Sequence, residues 1–137
     1  FYSGIQRRAS EIEISKIENI SSKEQNFRAL MDLVTEAQGL LLADYFDPLD
    51  FGRLLHESWL LKRDLAQTVT SIEIDSIYAT GISAGAVGGK VLGAGGGGFV
   101  LFLAKPERHS EIKRALSNLV CVDFAFENEG STTHRLS

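Results

Sequence analysis

The sequence is poor in several residue types that decide a protein's class. It has one cysteine, Cys121, two prolines, one tryptophan and one methionine in 137 residues. A single thiol excludes an internal disulfide and fits a reducing compartment, so a cytoplasmic location is expected. Basic residues are not in excess: 14 Lys and Arg stand against 18 Asp and Glu, a formal charge of −4. That balance disfavours a surface for nucleic acid or for an anionic membrane. No apolar run approaches the ~20 residues that span a bilayer, and no signal-peptide pattern opens the chain. No spacing of ligand residues assigns a metal site. What remains is ordinary for a globular protein, with 44% hydrophobic and 23% charged residues. A chain of this length buries roughly two-thirds of its unfolded surface and needs no staple. Residues 1–137 read as one domain. The opening Phe1-Tyr2-Ser3-Gly4 carries no Met and reads as the tail of a strand begun upstream, so a fragment of a longer protein is expected.

One residue type is locally abundant. Glycine occupies five of the six positions from Gly93 to Gly98, interrupted only by Ala94. Glycine loses more chain entropy on folding than any other residue, so such a cluster needs a compensating use.

The surrounding pattern supplies the frame. Ile5, Ala9, Ile12, Lys16 and Ile20 recur at helical spacing, and Phe27, Leu30, Leu33, Val34, Ala37 and Leu41 repeat it. Asp47-Pro48 is a helix start, with Asp as N-cap and Pro at the first position. The helix it opens is expected to bury Phe51, Leu54, Leu55, Leu61 and Leu65, with Trp59 on its flank. Ser71 can cap a fourth helix carrying Ile74, Ile77, Tyr78 and Ile82. Lys90-Val91-Leu92 and Phe99 to Ala104 read as strands, Pro106 opens a helix, and Val120 to Phe126 alternates like a last strand. The order is strand, four helices, two glycine-joined strands, helix, strand. It predicts an α+β fold: a ferredoxin-like antiparallel sheet packed against helices, with an enlarged helical insertion after the first strand.

Several uses of the glycines can be compared. Gly93, Gly95 and Gly98 fit G-x-G-x-x-G, but a dinucleotide site needs a helix next, and Phe99 to Leu103 is a strand. Residues 85–90 approach a Walker A loop but put Ala84 in place of its first glycine and Val91 in place of its Ser or Thr. A flexible hairpin turn needs only one or two glycines. A further use is a backbone surface, whose bare amides hold an anion or let a second loop approach, with Lys90 adding positive charge. The flexible turn and the backbone surface both stay open on composition.

The run from Gly85 to Gly98, with Lys90 inside it, resembles the third signature motif of the GHMP superfamily of small-molecule kinases (galactokinase, homoserine kinase, mevalonate kinase, phosphomevalonate kinase). The likeness covers essentially the whole chain and implies the C-terminal domain of such an enzyme. Residues 1–7, 54–63, 74–78 and the glycine motif are similar to the sugar kinases that act on heptose 7-phosphate. The resemblance implies an ATP-dependent sugar or sugar-phosphate kinase. ATP and Mg²⁺ would be bound mainly by an N-terminal domain absent here, and this fragment alone would be inactive. It places Lys90, Gly93, Ala94, Gly95, Gly96, Gly97 and Gly98 on the wall of the nucleotide and substrate cleft. It assigns no catalytic residue within these 137 positions. A side chain at Gly95 or Gly97 is expected to fill ligand space while the fold survives. The alternative is a ferredoxin-like binding or regulatory module without catalysis.

Lys62 and Arg63 are candidates for a substrate phosphate, Arg being the better bidentate partner. Solvated charges at a helix end are the competing reading. Trp59 reads as core or inter-domain packing, and His56 as a surface or capping residue without an evident partner. His109 and His134 are expected to be exposed. Asp75 and Tyr78 are within reach of a cleft, but helix-surface and core roles are expected of them, and Cys121 is expected to be buried and inert.

Overall fold

The computed structural model describes residues 1–126 and 128–133. Five helices and two strands follow one another: α1 (Ala9–Glu18), α2 (Glu24–Leu42), α3 (Pro48–Arg63), α4 (Ile72–Ser83), β1 (Ala86–Val91), β2 (Val100–Ala104) and α5 (His109–Ala115). Two of the helix starts are the ones the sequence marks. The Asp47 carboxylate accepts from the Leu49 N–H at 2.8 Å with Pro48 behind it, and the Ser71 hydroxyl accepts from the Ile74 N–H. Both satisfy amides that a helix leaves without partners in its first turn.

β1 and β2 pair antiparallel, with Gly89 opposite Phe102 and Val91 opposite Val100. The sheet is extended by the first residues of the chain. Phe1 and Val100 exchange backbone hydrogen bonds of 2.8 Å in both directions, and the Tyr2 N–H donates to the Val120 carbonyl at 2.9 Å. Tyr2 thus bridges Phe99 on one side and Val120 on the other, both antiparallel. The lateral order Val120, Tyr2, β2, β1 is that of a ferredoxin-like sheet, and the α+β architecture is the one expected.

The core lies between this sheet and the helices. Trp59, Val69, Ile74 and Val91 are wholly buried, and Ile12, Ala66, Tyr78 and Val100 join them. A second cluster joins Ala84 and Ala86 to Ile112 and Leu116 of the α5 segment. Trp59 is therefore the centre of the core rather than its flank. Trp59 lies two turns after the buried Gly52 and so shares its face, and Leu60 takes the exposed side. The closest approach is between main chains: a Cβ on Gly88 of β1 would overlap the Gly52 carbonyl oxygen of α3. The pair of glycines lets helix and strand meet backbone to backbone.

Two expectations change. Among the described residues, only Val120 of the segment Val120 to Phe126 makes a strand pairing. Val122, Phe124 and Phe126 are exposed: their alternation marks a face, and no described element covers it. Cys121 is exposed rather than buried for the same reason. His109 is exposed as expected, and His134 lies outside the described residues.

Gly88→Ala is expected to lower stability by about 3 kcal/mol, because the added methyl meets the main chain of Gly52, which cannot swing aside as a side chain does. Gly39→Ala, mid-helix in α2 with nothing within 4 Å of the added methyl, is expected to raise it by ~0.5–1 kcal/mol. Urea unfolding of both variants measures the contrast.

Candidate functional site

The glycine loop connects β1 to β2, and its shape is set by contacts to segments remote in sequence. The Gly96 N–H donates to the Val69 carbonyl at 2.7 Å and the Gly98 N–H to the Ile5 carbonyl at 2.9 Å. In return the Gly98 carbonyl accepts from the Ser3 N–H at 2.8 Å, and the Leu92 N–H closes the loop base on Phe99. The loop is clamped between the segment entering α1 and the 3-10 turn Gln67–Val69.

This clamping explains the glycines at its centre. Gly95 has φ +113°, and a Cβ there would stand 2.8 Å from the Val69 carbonyl oxygen. A Cβ on Gly97 would overlap the Ile5 carbonyl oxygen. The space beside Gly95 and Gly97 is therefore filled by the chain's own backbone, not held open for a ligand. Substitution there attacks the loop's packing first, which corrects the expectation that the fold would be untouched. Gly93 and Gly98 differ: both have positive φ but nothing within 4 Å of an added methyl. Gly93, Ala94, Gly95 and Gly97 donate their N–H groups to no acceptor among the described residues. Unpaired amides on a rigid bend are the elements of an anion-binding concavity. Beside them runs a groove lined by Gln6, Arg7, Ala94, Gly95, Gly97 and Gly98.

Lysines gather at the first bend. The Lys62 ammonium, from the last turn of α3, reaches in and donates to the Gly93 carbonyl. Lys16 of α1, its side chain only 12% exposed, lies 2.5 Å from the Glu13 carboxylate and 3.4 Å from the Ala94 carbonyl. Burial, then Lys90, then Lys16 press the Lys62 pKa down to about 8, and Glu13 opposes them. Lys62, Lys90 and the loop are thus brought together as candidates. Arg63 turns the other way: its guanidinium holds the Asp75 carboxylate at 2.8 Å, and Asp75 also accepts from the Thr70 hydroxyl at 2.7 Å. Lys16 was not among the sequence candidates. Its signal was a lysine at an inward position, one turn after Ile12 in the α1 repeat.

Below the lysines a buried relay supports β1. The Tyr78 hydroxyl donates to the Gly89 carbonyl at 3.2 Å, next to Lys90 in the chain. His56 Nδ1 lies 2.8 Å from that hydroxyl, its ring stacked on the phenol with centroids 5.9 Å apart. The phenol has one proton, committed to Gly89, so Nδ1 carries the proton of the second bond. Burial pushes the Tyr78 pKa up to about 12, the backbone bond to Gly89 opposing, and the group stays a neutral donor. His56 therefore has a partner, and its role is to hold the strand that carries Lys90.

Gly97→Ala is expected to lower the thermal midpoint by several degrees, and Gly93→Ala by only the ~1–2 kcal/mol of a left-handed alanine. Lys62 sets a pH effect. The unfolded chain binds its proton more tightly than the folded one, so its cost is complete below about pH 8 and fades as pH approaches 10.5. Lys62→Met is expected to be more stable than the parent at pH 7, the gap closing as pH rises through that window. Urea unfolding at pH 7 and pH 10 reads the change.

This geometry can be set beside known proteins. A family model described as GHMP kinases C terminal matches residues 17–121. The chain is 29% identical over 141 aligned residues to the D-glycero-alpha-D-manno-heptose 7-phosphate kinase of Campylobacter jejuni, across 99% of this chain and 41% of that protein. It is 38% identical over 87 residues to the mevalonate kinase of Thermococcus sibiricus, across 61% of this chain and 25% of that protein. Among solved structures, the mevalonate kinase of L. major in complex with R-mevalonate superposes with a TM-score of 0.72 at 24% identity, over 85% of this chain and 36% of that one. The Methanococcus jannaschii mevalonate kinase gives 0.70 at 25% identity, over 85% of this chain and 34% of that one. The chain thus spans well under half the length of the proteins it matches. The match to the family model, on a fold shared with two mevalonate kinases, shows that this chain belongs to the GHMP kinase C-terminal family.

Proposed function

We propose that this chain is the C-terminal part of an ATP-dependent sugar-phosphate kinase of the heptose 7-phosphate type, and that its glycine loop walls the cleft where nucleotide and acceptor meet. The observation that carries the reading is the alignment with the Campylobacter kinase through 99% of this chain. Magnesium-bound ATP supplies the transferable phosphoryl group in such an enzyme. This chain's residues suit phosphate oxygens rather than the metal. Lysines and unpaired amides face the loop, and no group of three or more His, Cys, Asp or Glu suited to a metal occurs among the described residues. Its part is accordingly positional. Catalysis of phosphoryl transfer consists largely of holding the reacting groups in line within a charge-complementary site, and a wall that cannot flex serves that need.

The isolated 137 residues are expected to turn over no substrate. The test is ATP consumption by the protein expressed from its complete coding sequence, with D-glycero-D-manno-heptose 7-phosphate, the unphosphorylated heptose and mevalonate as acceptors. Turnover confined to the phosphorylated heptose is the expected result. Preference for mevalonate would overturn the acceptor class. No ATP consumption with any acceptor would return the chain to a non-catalytic ferredoxin-like module.

A further inference from the structure

We propose that Lys16, Lys62 and Lys90 form one binding site for a phosphate dianion at the first bend of the glycine loop. Only the source of that phosphate, acceptor or nucleotide, rests on the kinase reading.

The three come from separate elements. Lys16 lies on the inward face of α1 and reaches the Ala94 carbonyl. Lys62 leaves the end of α3 and reaches the neighbouring Gly93 carbonyl. Lys90 lies on β1 two residues after Gly88, so the two share a strand face, the one that abuts Gly52 of α3. The carbonyls hold the first two in place without neutralising them. Each ammonium has three donors, so Lys62, with one spent on a carbonyl, keeps two for a ligand, and Lys16, which also donates to Glu13, keeps one.

The charge does not balance within the protein. Glu13 is the carboxylate at this cluster, and it is paired to Lys16. Neither Lys62 nor Lys90 has an acidic partner among the described residues, whereas Arg63, one residue on from Lys62, has Asp75. A lysine in the last turn of a helix ordinarily extends into water and favours the helix dipole from there. Lys62 is half-buried instead, beside two like charges, and its lowered pKa reports the cost of that arrangement. Groups kept in such surroundings concentrate at functional sites. Three ammoniums against one carboxylate leave two positive charges, which a phosphate monoester dianion matches. Ammoniums accept a phosphate as point charges from separate directions, where a guanidinium would fix it from one plane.

The readout does not depend on catalysis. The lysine side chains of the protein from its complete coding sequence carry ¹³C and ¹⁵N labels, with every ammonium donor left in place. Their resonances are followed against inorganic phosphate, glucose 6-phosphate, ADP and unphosphorylated glucose. The signals of Lys16, Lys62 and Lys90 are expected to move together and saturably with the phosphates, while those of Lys105 and Lys113 stay still and glucose moves none. Tighter binding of glucose 6-phosphate assigns the site to the acceptor, tighter binding of ADP to the nucleotide, and either supports the site. Calorimetry on unlabelled protein is expected to show Lys62→Met and Lys90→Met each weakening the tighter ligand at least about tenfold, and Lys105→Met leaving it unchanged. Failure of the three signals to respond to any phosphate, or a response shared equally by Lys105 and Lys113, overturns the proposal even if the protein is an active kinase. Saturable binding in a protein that consumes no ATP keeps the site and removes the kinase reading.

Discussion

The structure depends on a close approach of main chain to main chain at the glycine loop. Two amides of the loop, Gly96 and Gly98, are committed to the carbonyls of Val69 and Ile5, segments some 27 and 93 residues away along the chain by their numbering. Hydrogen bonds of this kind contribute little individually, about 1 kcal/mol net. Their geometric consequence is larger. They draw the loop so close to its neighbours that no side chain fits at Gly95 or Gly97, and they lock the first strand-like residues, the α1 entry and the turn before α4 around one bend. A glycine run that looks like looseness in the sequence is used for contact. The amides left over, together with the carbonyls that receive Lys16 and Lys62, then form a polar rim whose positions are fixed before any ligand arrives.

That rim carries a cost which the fold does not offset locally. Several other described cations pair with carboxylates: Arg28 with Glu24, Lys23 with Asp64, Arg63 with Asp75. Around Gly93 and Ala94, Lys62 of one helix feels the like charges of Lys16 on another helix and Lys90 on a strand, against the one carboxylate of Glu13. Stability given up at one place, beside a loop held rigid, is the pattern expected where a protein must receive a charged partner. The Tyr78–His56 pair underneath fits the same picture. Its hydrogen bonds end on Gly89, and so fix the strand position next to Lys90.

Much of this was legible in the sequence, and the division has a physical basis. Asp47-Pro48 and Ser71 mark helix starts because capping is chemistry between residues two or three apart. The continuous apolar run after Gly98 marks a strand for equally local reasons. The purpose of the glycines was half legible: backbone contact was one of two readings their number left open, and nothing nearby in sequence names Val69 and Ile5 as the partners. Trp59 was read as core or inter-domain packing from the flank of its helix, because a bulky ring at the edge of a helical stripe can turn either way, and the packing of Tyr78 and Val91 makes it core. Lys16 was passed over because its helical repeat reads as apolar patterning with one exception. The alternation from Val120 to Phe126 misled for the opposite reason: period two states a preference for a covered face, and the described residues place nothing over it.

The account's central claim is that the bend from Gly93 to Gly98 is rigid because two of its amides, those of Gly96 and Gly98, are spent on the protein itself. Amide hydrogen exchange followed by NMR tests this most directly, residue by residue. The claim predicts that the N–H groups of Gly96 and Gly98 exchange as slowly as those of Val91 and Val100 in the sheet, while those of Gly93 and Ala94 exchange rapidly. Rapid exchange throughout the bend, at the rate of an open surface loop, would contradict it.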